Sequence, residues 1–215
     1  MDGTKLQGKV YYGYAQSAKR IGLPFIQYRP TSAASPISSG SLVGTILASF
    51  NAQDMKYSKP NSYGKPVWYC LADGRVMAVG DYFVGAPGTF FIASMQPLLP
   101  IQAIECNRTV TVFRPQQQAG VGAVGYGGNT AQNQTAIVTG FPASVLINAK
   151  ADNSTVKLPG DTRSAWWNLL LPPIPGAVII QDADVVEDEI GNRYVVSAAE
   201  LTDMGWRITM AESET

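Results

Sequence analysis

Five carboxylates crowd into one short stretch of this chain, at Asp182, Asp184, Glu187, Asp188 and Glu189. Such a group could hold a hard cation or supply an acid–base pair. A calcium loop, however, needs a central glycine and a terminal bidentate glutamate at fixed positions, and this spacing supplies neither. Gly191-Asn192 follows, which makes the stretch the approach to a hairpin with a charged, solvated edge that guards against sheet extension. A second candidate is the run from Gly120 through Gly122 to Gly125, which spells the dinucleotide fingerprint G-x-G-x-x-G. That fingerprint works where a buried strand precedes it, a helix follows, and an acidic residue stands about 20 positions on. Here glutamines and a proline come before, no helical pattern comes after, and the next acidic residue is Asp152. The two cysteines, Cys70 and Cys106, are too few for a disulfide framework and read as reduced, partly buried apolar groups. The chain contains no histidine, so the usual near-neutral base and the commonest nitrogen ligand for metals are missing. We therefore expect no catalytic residue, no cofactor and no metal site.

Composition narrows the classes further. The 215 residues carry 16 basic and 16 acidic side chains, a net charge of zero, with 15% of residues charged and 46% hydrophobic. A core is affordable in area, whereas a sequence-independent grip on nucleic acid needs clustered Lys and Arg. The longest basic run is Lys19-Arg20. No apolar stretch approaches the roughly 20 residues that span a bilayer, and residues 1–8 contain no apolar leader core. These features predict assembly in a cytosol, without membrane contact.

The elements that position these residues are mostly strands. One helix is predicted over residues 8–21, where Val10, Tyr14, Ala18 and Ile21 recur at helical spacing. Lys19 and Arg20 complement its carbonyl end, and Gly22 can end it in a left-handed conformation. Tyr11, Tyr12 and Tyr14 point in different directions around it, so at least one faces outward, and tyrosine is enriched at interfaces.

Residues 25–29, bracketed by Pro24 and Pro30, read as a strand, as do residues 109–115. The shared endings Tyr28-Arg29-Pro30 and Phe113-Arg114-Pro115 suggest neighbours in one sheet. Residues 31–40 read as a loop, and Leu42–Asn51 fits a short helix or a strand. From 66 to 115, strands at 67–71, 75–79, 80–84 and 89–93 alternate with turns. Asp73-Gly74 reads as a hairpin, and Asp73 and Asp81 as turn residues. This spacing suits an antiparallel sandwich or barrel.

Residues 116–135 hold five glycines, no charge and Tyr126, the composition of a long arm that orders against a neighbouring subunit. Further strands follow at 136–139 and 143–147, with a break at 140–142, then at 164–171, 193–196 and 205–210, while the apolar run 177–180 leads into the carboxylate stretch. Adjacent Trp166 and Trp167 must face opposite sides of their strand. The fold class is mainly β: antiparallel sandwich or barrel units with one N-terminal α-helix and a long Gly-rich arm. The expected divisions are 1–115, 116–135 and 136–215. Tyr11, Tyr12, Tyr14, Tyr126, Trp166 and Trp167 are the candidate subunit-interface residues.

The endings QYRP and VFRP, the run GDYFVGAPGTFFIASMQPLLPI (80–101) and the terminal GNRYVVSAAELTDMGWRITMA (191–211) resemble virion structural proteins of tailed bacteriophages. The terminal run is similar to the closing region of head-completion and head-to-tail joining proteins. This chain is longer than those proteins, and its glycine-rich arm is not part of their pattern. The resemblance implies a homo-oligomeric ring at the head-to-tail junction, with the portal protein and tail or nozzle proteins as partners. The genome would pass through such a ring without sequence-specific contact, and the protein would reside in the virion after assembly in the host cytoplasm. The resemblance transfers no catalytic residue. Capsid decoration or a tail-tip position is the alternative role.

Overall fold

The computed structural model describes residues 2–51, 61–62, 64–116, 133–147 and 166–213. Most of the predicted arm, including Tyr126 and the 120–125 glycine motif, lies outside the described residues.

Helix α1 spans Gly3–Ile21, starting earlier than the periodicity predicts because the Asp2 side chain accepts a hydrogen bond from the Thr4 N–H at 3.1 Å and caps it. Its buried residues are Ala15 and Ala18, with Tyr11 and Tyr14 leaning on the nearby core, while Ile21 is exposed. The buried stripe is thus rotated from the predicted one. Gly22 does not end the helix in a left-handed conformation: its φ is −81° and its N–H reaches the Ala18 carbonyl at 2.8 Å. Glycine is required there by proximity, since a Cβ would collide with the Ala18 carbonyl oxygen and approach the Ala48 backbone.

Among the described residues twelve strands follow: β1 (Leu23–Tyr28), β2 (Leu42–Asn51), β3 (Val67–Leu71), β4 (Tyr82–Gly85), β5 (Gly88–Ser94), β6 (Ile101–Cys106), β7 (Arg108–Pro115), β8 (Gln134–Ile147), β9 (Trp166–Leu171), β10 (Val185–Asp188), β11 (Arg193–Thr202) and β12 (Gly205–Glu212). They form two closed antiparallel barrels, β1-β2-β3-β6-β5-β4 and β7-β8-β9-β12-β11-β10. Leu42–Asn51 is therefore a strand. The two orders are the same, so β7 to β12 repeat β1 to β6 in sequence order and in pairing. Even the irregularities repeat: β5 slips against β6 between Ile92 and Ser94, and β11 slips against β12 between Val196 and Ala198.

This duplication explains the shared endings. Arg29 and Arg114 are not neighbours in one sheet; they hold equivalent places just after β1 and at the end of β7. Arg29 donates two 2.7 Å hydrogen bonds to Asp81, ahead of β4, and Arg114 donates to Asp184, ahead of β10, at 3.0 and 2.8 Å. Each aspartate also accepts a 2.8 Å bond from the backbone N–H three residues before it, Ala78 and Gln181 respectively. Each arginine caps a further carbonyl, Val76 or Ile179. Asp81 is thus more than a turn residue: it is a buried anchor that also accepts from Gln27 at 2.7 Å.

Three expectations are corrected by the pairing. β7 belongs to the second barrel, so the change of barrel falls at Asn107 and not at 115. Asp73-Gly74 starts no hairpin and residues 75–79 form no strand, because β3 already pairs on both edges with β2 and β6. Asp73 instead closes a local turn on Arg75. The predicted break at 140–142 is a register slip within continuous β8, with Gly140 at φ +69° taking up the distortion.

Barrel 1 fills its interior with Phe25, Ile46, Cys70, Phe83, Phe90 and Ile92, among others. Its outward-facing Tyr82, Phe91, Ala93 and Ile104 join the core cluster of barrel 2, so the barrels share buried surface. The Tyr82 hydroxyl donates to the Pro142 carbonyl at 2.7 Å. Asn107, the single residue between β6 and β7, exchanges two 2.8 Å hydrogen bonds with the Val145 backbone. The β1–β2 loop crosses over too, with Ala34 bridged to Thr139 of β8.

Candidate interaction surface

Strands β1 and β2 carry apolar side chains on both faces. Phe25, Ile46 and Ala48 point into the barrel, while Pro24, Ile26, Val43 and Leu47 alternate with them and point out. Pairing sets Pro24 opposite Leu47 and Ile26 opposite Thr45, so the outward residues form one patch. Ile26, Leu47 and Val43 are 41%, 39% and 48% exposed, and Ile21, Leu23 and Leu42 at its margins are each more than half exposed.

The duplicate barrel serves as an internal control. The shared registers with β4 and β10 align Leu23, Pro24 and Ile26 with Arg108, Thr109 and Thr111. Threonines therefore stand on β7 where β1 carries Pro24 and Ile26, so apolar outer side chains on β1 are not a requirement of closure; on β2, Leu47 aligns with the buried Pro142 of β8. A clustered exposed apolar patch of this kind makes the β1–β2 face the candidate interaction surface. The clue in the sequence is the strand Leu42–Asn51, whose apolar residues fall on both parities although antiparallel strands with one solvated face alternate.

The predicted interface residues fall on both barrels. Tyr12 is exposed on α1, with the Arg75 guanidinium 5.5 Å from its ring centre. Tyr11 and Tyr14 are half-buried against the barrel 1 core, Tyr11 lying over Gly74 so closely that a Cβ there would strike its ring. Trp166 and Trp167 do face opposite ways: Trp166 is 37% exposed, whereas Trp167 packs on barrel 2 and meets Tyr194 edge-on at 5.4 Å. The five described candidates thus do not converge on one patch, and the β1–β2 face was missed.

The carboxylate stretch is not uniformly solvated. Asp184 is the buried partner of Arg114, and Asp188, also buried, accepts from the Ile190 and Asn192 backbone and from the Asn192 side chain at 3.1, 2.8 and 3.1 Å. It holds the β10–β11 turn together, with Arg108 at 3.7 Å. Asp182 and Glu189 are exposed. Among the described residues, no group of three or more His, Cys, Asp or Glu is placed to hold a metal ion. Cys70 and Cys106 are free, and burial pushes both thiols well above their ordinary range. No helix among the described residues is long and apolar enough to cross a membrane. No protein-family model, curated protein or solved structure matches this chain.

Proposed function

We propose that this chain is a structural subunit of a tailed-phage virion, forming a ring at the head-to-tail junction between portal and tail. The observation that carries the reading is the apolar outer face of β1–β2, whose β1 positions Pro24 and Ile26 are threonines in the duplicate barrel. The resemblance of residues 80–101 and 191–211 to joining proteins supplies the setting. The chain's role is then mechanical: two fused barrels form a stiff block, and an exposed apolar face with aromatic neighbours supplies association.

Such contacts rest on apolar burial worth about 25 cal/mol per Å², so assembly should tolerate salt. Light scattering coupled to size exclusion, with and without the portal partner, tests this. Rings that persist from low to molar salt, and that Leu47→Asp abolishes while leaving the monomer folded, are the expected outcome. Compact trimers or a persistent monomer would favour decoration or a tail-tip position. Dissociation by moderate salt would show that the contacts are ionic and would overturn the proposed basis of assembly.

A further inference from the structure

The interior of barrel 1 opens beside this face into a cavity of about 280 Å³, lined by Phe25, Phe50, Trp68, Phe90 and Glu105 and rimmed by Leu23. The Phe50 and Phe90 rings stack with centres 3.9 Å apart, and Phe25 and Trp68 meet them edge-on. Among these rings stands one carboxylate: Glu105 accepts a hydrogen bond from the Trp68 indole N–H at 2.9 Å. Glu105 takes part in none of the ion pairs among the described residues.

The duplicate mouth is built differently. Where barrel 1 has Leu23, barrel 2 has Arg108, which lies 3.7 Å from Asp188 and 3.9 Å from Glu189. Barrel 2 brings its own cation to its carboxylates, and barrel 1 presents a carboxylate in an aromatic mouth with an apolar rim. An anion in such surroundings is best matched by a cation with a flat apolar body, since a guanidinium can fork to a carboxylate and lie on a ring at once. We infer that the mouth of barrel 1 receives the arginine side chain of a protein partner, whose neighbouring apolar residues lie on Leu23, Ile26 and Leu47. This names the chemistry of the partner on the face proposed above and rests on that reading for its setting. The test needs only the monomer and a small probe, so failure of the ring and failure of the mouth are separately visible.

The full chain, labelled with ¹⁵N at tryptophan, is titrated with phenethylguanidinium. The Trp68 indole cross-peak, assigned with Trp68→Phe, should move saturably. Neutral phenethyl alcohol should bind at least about tenfold more weakly, and so should the probe to Glu105→Gln, a change in affinity equal to ~1.4 kcal/mol. Leu23→Arg, which copies barrel 2 at an exposed position, should block the mouth and stands in for Glu105→Gln if that variant fails to fold. Equal binding of the alcohol, or full affinity in both variants, would overturn the assignment. So would movement confined to Trp166 or Trp206. Tighter probe binding after Lys65→Gln, a lysine that lines the adjoining groove with Trp68 and Glu105, would place the natural cation within the chain and overturn the assignment to a partner.

Discussion

Asp81 and Asp184 each sit almost fully out of water, with side chains 1% and 2% exposed, facing arginines that are 47% and 36% exposed. The exposed guanidinium contributes little by itself, but removing it strands a buried carboxylate. Arg29→Ala and Arg114→Ala should therefore each cost on the order of 3 kcal/mol in urea unfolding. The loss should be the larger at Arg114, because Asp81 keeps Gln27 as a partner and Asp184 has no counterpart to it among its side-chain bonds.

The buried acids of barrel 1 set a second expectation at this scale. Burial raises the Cys70 thiol above its ordinary 9.0 and the Tyr82 phenol above its ordinary 10.0. The native chain keeps these protons at a pH where the unfolded chain has released them, so unfolding is favoured as pH climbs. Stability should be level up to about pH 9 and decline from there upward, read as the melting temperature between pH 7 and 11. Cys70 should resist Ellman's reagent until denaturant is added.

Among the elements, α1 shows how one residue type serves opposite ends. Gly13 is exposed in mid-helix with nothing near its missing Cβ, whereas Gly22 touches the Ala18 carbonyl and the β2 backbone. Gly13→Ala should stabilise by ~0.5–1 kcal/mol through helix propensity. Gly22→Ala should destabilise by ~1–3 kcal/mol through overpacking, because backbone cannot move aside as a side chain can. Paired denaturant curves decide both signs. For the strands, the duplicate makes the comparison: Ile26→Lys should abolish association while leaving the fold intact, and Thr109→Lys, at an exposed position on the corresponding strand of barrel 2, should leave both unchanged.

At the scale of the whole molecule, the barrels share one core cluster, are joined by the single residue Asn107, and are tied by Tyr82 to Pro142. Unfolding should be one transition, coincident by tryptophan fluorescence and far-ultraviolet circular dichroism. Asn107→Ala, which leaves the Val145 backbone pair unbonded at a cost of ~1–3 kcal/mol, should separate the two probes if that joint couples the barrels.

Much of the chain was legible without tertiary structure. Strand identity follows from period-two patterning and turn residues, which are local, so β3, β5, β7, β9 and the tight turns at 86–87 and 189–192 could be placed from the residues alone. The absence of histidine and the misfit of the carboxylate spacing are likewise properties of the sequence. Partnership was not legible. Whether residues 75–79 form a strand depends on whether β3 has a free edge, and β3 is filled by β2 and by β6, whose residues stand far along the chain. Asp81 looks like a turn residue and Asp184 like part of a solvated edge because their arginines lie 52 and 70 positions away. The repeat surfaced in the sequence only as two Arg-Pro endings, since outer-face Pro24 and Ile26 stand as Thr109 and Thr111, the rim residue Leu23 as Arg108, and even the inward Gln27 as Val112. Closing the chain into two equivalent barrels is what aligned them, and only that alignment separates an apolar face that the fold needs from one that it does not.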